Sequence, residues 1–83
     1  MKQITHVRKD YAGDITAVGA KYAWEHTLST AISNIENGWE SYWVSVGGQV
    51  ATVVVGQTST GRKYLRTTAD TTTKNNLDSL PPL

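Results

Sequence analysis

Gly47-Gly48 stands between two runs of β-branched and aromatic residues, Ser41-Tyr42-Trp43-Val44-Ser45-Val46 and Gln49-Val50-Ala51-Thr52-Val53-Val54-Val55. A two-residue glycine link between such runs specifies a tight β-hairpin, because glycine tolerates the positive φ that a primed turn needs at its central positions. With Gly47 and Gly48 as those positions, Val46 faces Gln49, Val44 faces Ala51 and Tyr42 faces Val53 on one side of the ribbon. Ser45 opposite Val50, Trp43 opposite Thr52 and Ser41 opposite Val54 make up the other side. A lone hairpin is marginal in water, so the more apolar side requires a cover.

The predicted cover is a helix upstream. Leu28, Ala31, Ile32 and Ile35 follow the i, i+3, i+4, i+7 spacing of an amphipathic helix. Thr27 supplies an N-cap hydroxyl, and Asn37-Gly38 supplies a stop with a glycine free to turn left-handed. At about three turns this helix is unstable alone and needs the sheet. Before it, Gln3–Lys9 and Ile15–Ala20 read as strands around the turn Asp10-Tyr11-Ala12-Gly13-Asp14. Ile4 and Val7 have opposite parity in the first of these, which points to cover on both faces or to a bulge. Lys21 to His26 reads as a loop with Tyr22 or Trp24 tucked inward. After the hairpin, Gln57-Thr58-Ser59-Thr60-Gly61 is a polar turn and Arg62–Thr67 a strand. Leu77 and Leu80 suit one helical turn that Pro81 ends.

These readings give an α+β fold. It is an antiparallel twisted sheet of about five strands, ordered β-β-α-β-β-β, with one short helix on one face and a docked C-terminal tail over residues 68–83. The predicted core is Tyr42, Val44, Val46, Val53, Val55 and Leu65 of the sheet with Ile32 and Ile35 of the helix. Eighty-three residues allow one small domain, 1–83, and no second core. Hydrophobic residues at 39% with charged residues at 18% place the chain among folded domains rather than disordered segments.

Cysteine is absent, which removes disulfides, thiolate metal sites and thiol catalysis together. A net charge of +1 provides no global steering toward nucleic acid or an acidic membrane. Charges stand in the N-terminal segment where a signal peptide needs its apolar core, and the longest apolar run is far short of the roughly 20 residues of a membrane helix. The expectation is a cytoplasmic protein without membrane contact.

No chemistry-bearing motif is complete. His6 and His26 stand at no ligand spacing with another His, Asp or Glu, so no metal site is expected. Asp10 to Asp14 lacks the later ligands and closing glutamate of a calcium loop. The Gly-Gly pair opens no helix, so it cradles no phosphate, and no serine stands in a G-x-S-x-G elbow. Asp70 and the pair Asn75-Asn76 read as turn and capping residues, with Arg66 and Asp70 as a pair pinning the start of the tail. No catalytic residue and no cofactor is expected, and the chain reads as non-enzymatic.

One constellation invites a ligand. Trp43, Arg62, Tyr64 and Arg66 share the predicted sheet face opposite the helix, with Val50 and Val54 nearby. Rings interleaved with arginines on a sheet stack single-stranded bases and hold phosphates in several modules. The commoner reading is guanidinium groups covering rings on a solvated face, and a third is that Leu77, Leu80 and Leu83 fold back over it. Exposed aromatics beside Val50 and Val54 equally suit a protein partner or self-association. The expected function is a small binding or protein-interaction module, with nucleic-acid binding as the alternative.

The two ends of the chain carry a resemblance. Ile4-Thr5 with Asp14-Ile15-Thr16-Ala17-Val18 at the front matches less specifically than the close, Lys63-Tyr64-Leu65-Arg66-Thr67, Ala69-Asp70, Asn75-Asn76-Leu77 and Leu80-Pro81. Between them lie Ala31-Ile32, Ile35, Gly38 and Tyr42 to Val46. With these residues the chain resembles, over nearly its whole length, a family of small, mostly bacterial proteins known as a domain of unknown function, number 3892. The resemblance implies a fold, and no reaction, ligand or partner comes with it. Trp39 and Trp43 are more aromatic than the family pattern at those places.

Overall fold

The computed structural model describes residues 1–68 and 76–83. The central hairpin is built as its glycines demand. Strand β5 (Tyr42–Val46) pairs with β6 (Gln49–Gln57) in the register Trp43↔Thr52, Val44↔Ala51, Ser45↔Val50 and Val46↔Gln49. Gly47 and Gly48 take φ of 60° and 81°, both positive as a type I′ turn requires. The second half of β6 pairs with β7 (Lys63–Thr67), which places Val54 opposite Arg66 and Gly56 opposite Tyr64. Tyr42, Val44, Ala51, Val53, Leu65 and Thr67 are buried on one face.

The expected single antiparallel sheet of five strands is corrected to seven strands in two sheets. One sheet has four strands in the order β1-β5-β6-β7, where β1 (Lys2–Gln3) runs parallel to β5. The other is an antiparallel trio of β2 (His6–Lys9), β3 (Ile15–Ala20) and β4 (Trp24–Thr27). The stretch read as one strand, Gln3–Lys9, is divided between the two sheets. The Ile4 amide donates to the Trp43 carbonyl at 2.8 Å, and the next amide, of Thr5, donates to the Gly19 carbonyl at 2.9 Å. Changing partners between these residues lets Ile4 and Val7 both point inward, which is the physical reason for their opposite parity. A register shift also falls between Arg8 and Lys9, where the pairing partner passes from Ala17 to Ile15.

The segment Lys21–His26, read as a loop, is a turn followed by the start of β4. Tyr22 is fully exposed at positive φ, 66°, and Trp24 is the aromatic that turns inward. Gly19 makes this pairing possible, since a Cβ there would collide with the Trp24 carbonyl.

Helix α1 spans Leu28–Asn37, within the limits its caps predict. The Thr27 hydroxyl accepts from the Thr30 amide, and Gly38 ends the helix left-handed at φ 70°. The helix does not lie on one sheet alone, as expected, but touches β3 and β4 of the trio and β6 and β7 of the larger sheet. Ala31 is its fully buried residue, and Leu28, Ile32 and Ile35 pack half-buried around the core. Val46 and Val55 are half-buried too, so the core rests less on them than predicted. Ile4, Val7, Val18 and Leu77, absent from the predicted core, are completely or almost completely buried.

The C-terminal residues close the trio's edge. A 3-10 turn at Leu77–Ser79 buries Leu77, and the Asn76 amide nitrogen donates to the Thr67 hydroxyl at 2.9 Å. The Val7 amide then donates to the Pro81 carbonyl and the Leu83 amide to the Val7 carbonyl, which shields an otherwise open strand. Residues 76–83 therefore dock on the core and on β2, rather than over the outer face of the larger sheet.

Candidate functional site

Strand alternation puts Trp43, Val50, Thr52, Val54, Tyr64 and Arg66 on the outer face of the four-stranded sheet, away from α1. Three of the four predicted site residues, Trp43, Tyr64 and Arg66, thus share a face. Val50 is 69% exposed and Tyr64 40%, while Trp43, Val54 and Arg66 are half-buried. The Tyr64 ring lies across Gly56, so close that a Cβ on that glycine would stand 2.6 Å from the ring's Cζ. An aromatic over a cross-strand glycine protects backbone that would otherwise face water, a structural role in its own right.

Arg62 parts from the others. It precedes β7 in the turn, and its guanidinium lies 3.7 Å from the Asp14 carboxylate of the other sheet's hairpin. It borders a cleft of about 350 Å³ whose wall includes Ile15, Leu28 and Leu65 and whose rim carries Asp14 and Asp78. Asp78 faces Lys9 at 3.7 Å, so both rim carboxylates have a cation beside them.

The pairing of the other cations sharpens the contrast. Arg8 meets Glu25 through two hydrogen bonds of 3.1 Å, and Lys63 meets Glu36 at 2.7 Å. That contact with Arg8 holds the Glu25 carboxyl below its ordinary range and raises Arg8. Lys2 lies over the Trp24 ring at 5.2 Å and Lys21 over Tyr22 at 5.8 Å. Among the described residues, Arg66 alone of the lysines and arginines has neither a carboxylate nor a ring partner. Asp70 and Asn75 lie outside the described residues, and with them the expected Arg66–Asp70 pair.

A second polar constellation escaped the sequence reading. Tyr42 is completely buried, and its hydroxyl stands 2.8 Å from both His26 Nδ1 and Asn34 Nδ2. Asn34 donates to the hydroxyl oxygen, and the hydroxyl and His26 Nδ1 share the second hydrogen bond, its direction set by the imidazole tautomer. Trp24 stacks beside them, its centroid 4.9 Å from His26 and 5.9 Å from Tyr42. Burial raises the Tyr42 phenol above its ordinary value, opposed by the Asn34 hydrogen bond and aided by the charge of Glu40. A hydroxyl sealed from solvent meets no substrate, so this cluster ties β4, α1 and β5 together. The i, i+8 relation of Asn34 to Tyr42 across a helix end offered no recognisable pattern. His6 is bound locally, its Nδ1 2.8 Å from the Thr5 hydroxyl. No group of three metal-ligating side chains occurs among the described residues, and no helix there is long and apolar enough to cross a membrane.

These observations define a small α+β domain in which one helix is held between a mixed four-stranded sheet and an antiparallel trio. The chain belongs to the family described as Protein of unknown function (DUF3892), whose pattern matches residues 3–81. That match takes in both sheets, the helix and the docked end. Comparison with curated proteins and with solved structures finds no match.

Proposed function

We propose that this chain is a non-enzymatic protein-interaction module whose contact surface is the outer face of the four-stranded sheet. The observation that carries this reading is the company on that face: exposed Val50 and Tyr64 beside Trp43, Val54 and an arginine with no partner among the described residues. No carboxylate stands among the outward positions of β5, β6 and β7. Trp, Tyr and Arg are the residue types that dominate binding energy at protein interfaces. The same rings and guanidinium support single-stranded nucleic-acid binding as the alternative. With Arg62 beside Asp14 and Lys63 beside Glu36, a single guanidinium is left to meet phosphates, so the protein reading is preferred.

A photo-reactive residue at Thr52, on the outer face, and another at Ser33, exposed on α1, test the surface in cells. The expected result is a discrete cross-linked adduct from position 52 and none from position 33. Equal labelling from both positions, or none from either, overturns the assignment of this face.

A further inference from the structure

Most charged side chains among the described residues have a partner, and Arg66, on the proposed contact face, is an exception. Seven of the eight lysines and arginines are described, Lys74 being the other, and six of them meet a carboxylate or a ring. The described side-chain carboxylates are engaged as well. Asp14, Glu25, Glu36 and Asp78 face cations, Glu40 meets the N-terminal amine at 3.2 Å, and Asp10 accepts from the Ala12 and Asp14 amides. Arg66 is half-buried, directly opposite Val54 and two residues from Tyr64.

We infer that the outer face docks a protein segment that presents one carboxylate between apolar side chains, with Arg66 as its anchor. This rests on the reading of that face as the contact surface. The guanidinium fork donates two parallel hydrogen bonds to a carboxylate, and a half-desolvated setting makes that pair stronger than one in open water. Val54 and Tyr64 flank Arg66, and Trp43 and Val50 extend the same face, so flanking apolar side chains of the segment have a surface to cover. Every side-chain carboxylate among the described residues of a second copy is already engaged, which favours a different protein as the occupant. A nucleic-acid strand gains affinity by releasing counterions at several phosphates, and this face supplies one cation.

The test uses the isotopically labelled full chain and short synthetic peptides, each with one Glu between Leu, Val or Trp residues. The same peptides with Gln in place of Glu, and a mixed single-stranded DNA pool at low salt, serve as the other arms. The Trp43 indole, the Tyr64 amide and the Arg66 Nε signals are followed. The Glu peptides are expected to shift these signals and to bind roughly tenfold more tightly than their Gln counterparts. Arg66→Gln abolishes that preference, and Arg66→Lys, which keeps the charge but not the fork, restores part of it. Thermal melts of both variants verify folding, and the Lys variant suffices if the Gln variant is unstable. Equal binding of Glu and Gln peptides at these signals overturns the carboxylate inference and leaves the contact face standing. Tighter binding of the DNA pool overturns it in favour of nucleic acid. Signals that no probe moves overturn both the inference and the face.

Discussion

The inner and outer faces of the four-stranded sheet are made by alternate residues of the same strands, yet they have opposite fates. Inward, Tyr42, Val44, Ala51, Val53 and Leu65 are sealed by α1 and the core. Outward, Val50 and Tyr64 remain open beside Trp43 and Arg66. The two faces are not distinguished by hydrophobicity alone, since Val50 and Val53 are the same residue type three positions apart in β6. What separates them is strand parity and the arrival of a helix on one side. An apolar outer face therefore survives as a feature of the folded molecule.

The sharpest way to break this comparison is a charge on each face. Val53→Asp places an unpaired carboxylate in the buried layer, a loss of several kcal/mol that is comparable with the whole stability of a small domain. The expected outcome is loss of the cooperative melt, and a retained melt shows the inner face to be misassigned. Tyr42→Phe is milder. It leaves His26 and Asn34 without their shared hydroxyl and is expected to cost about 1–3 kcal/mol in denaturant unfolding, the range for stranding buried polar partners.

Acid probes the rim of the same sheet. Glu40 is held below its ordinary value of 4.5, first by the Ser41 amide and then by the N-terminal amine, while partial burial works the other way. Because the folded value is the lower one, the contribution is complete above pH 4.5 and is lost as pH falls through the folded value. Melting temperature is expected to drop as pH falls below 4.5, and Glu40→Gln to flatten that drop. Val50→Lys has the smallest effect, within about 0.5 kcal/mol of the parent, since an exposed position gains no unpaired buried charge. A large loss there shows that the outer face is covered in the free protein.

Much of the fold was legible in residues that are neighbours along the chain. The Gly47-Gly48 turn set the β5–β6 register at the four pairs observed, and Thr27 and Gly38 marked the ends of α1. The candidate face was legible in part. Parity put Tyr64 and Arg66 on the same face as Trp43, as observed, but it also assigned Arg62 to the group. That assignment assumed a strand beginning at Arg62, whereas β7 begins at Lys63 and the Arg62 guanidinium meets a hairpin that the sequence places far away. Tyr42 read as a core aromatic, which it is, with no sign that His26 and Asn34 were waiting for its hydroxyl.

Turn chemistry, helix caps and strand alternation depend on residues within a few positions of one another, and for these the amino-acid order was sufficient. The division of the strands into two sheets was decided only by tertiary structure. Backbone amides carry no label of their intended partner, and the consecutive amides of Ile4 and Thr5 find carbonyls in different sheets. Long-range pairing likewise decided which arginine was neutralised. Arg62 and Arg66 are the same side chain four residues apart, and the presence of Asp14 beside the first, with no carboxylate beside the second among the described residues, makes one a tether and the other a candidate anchor.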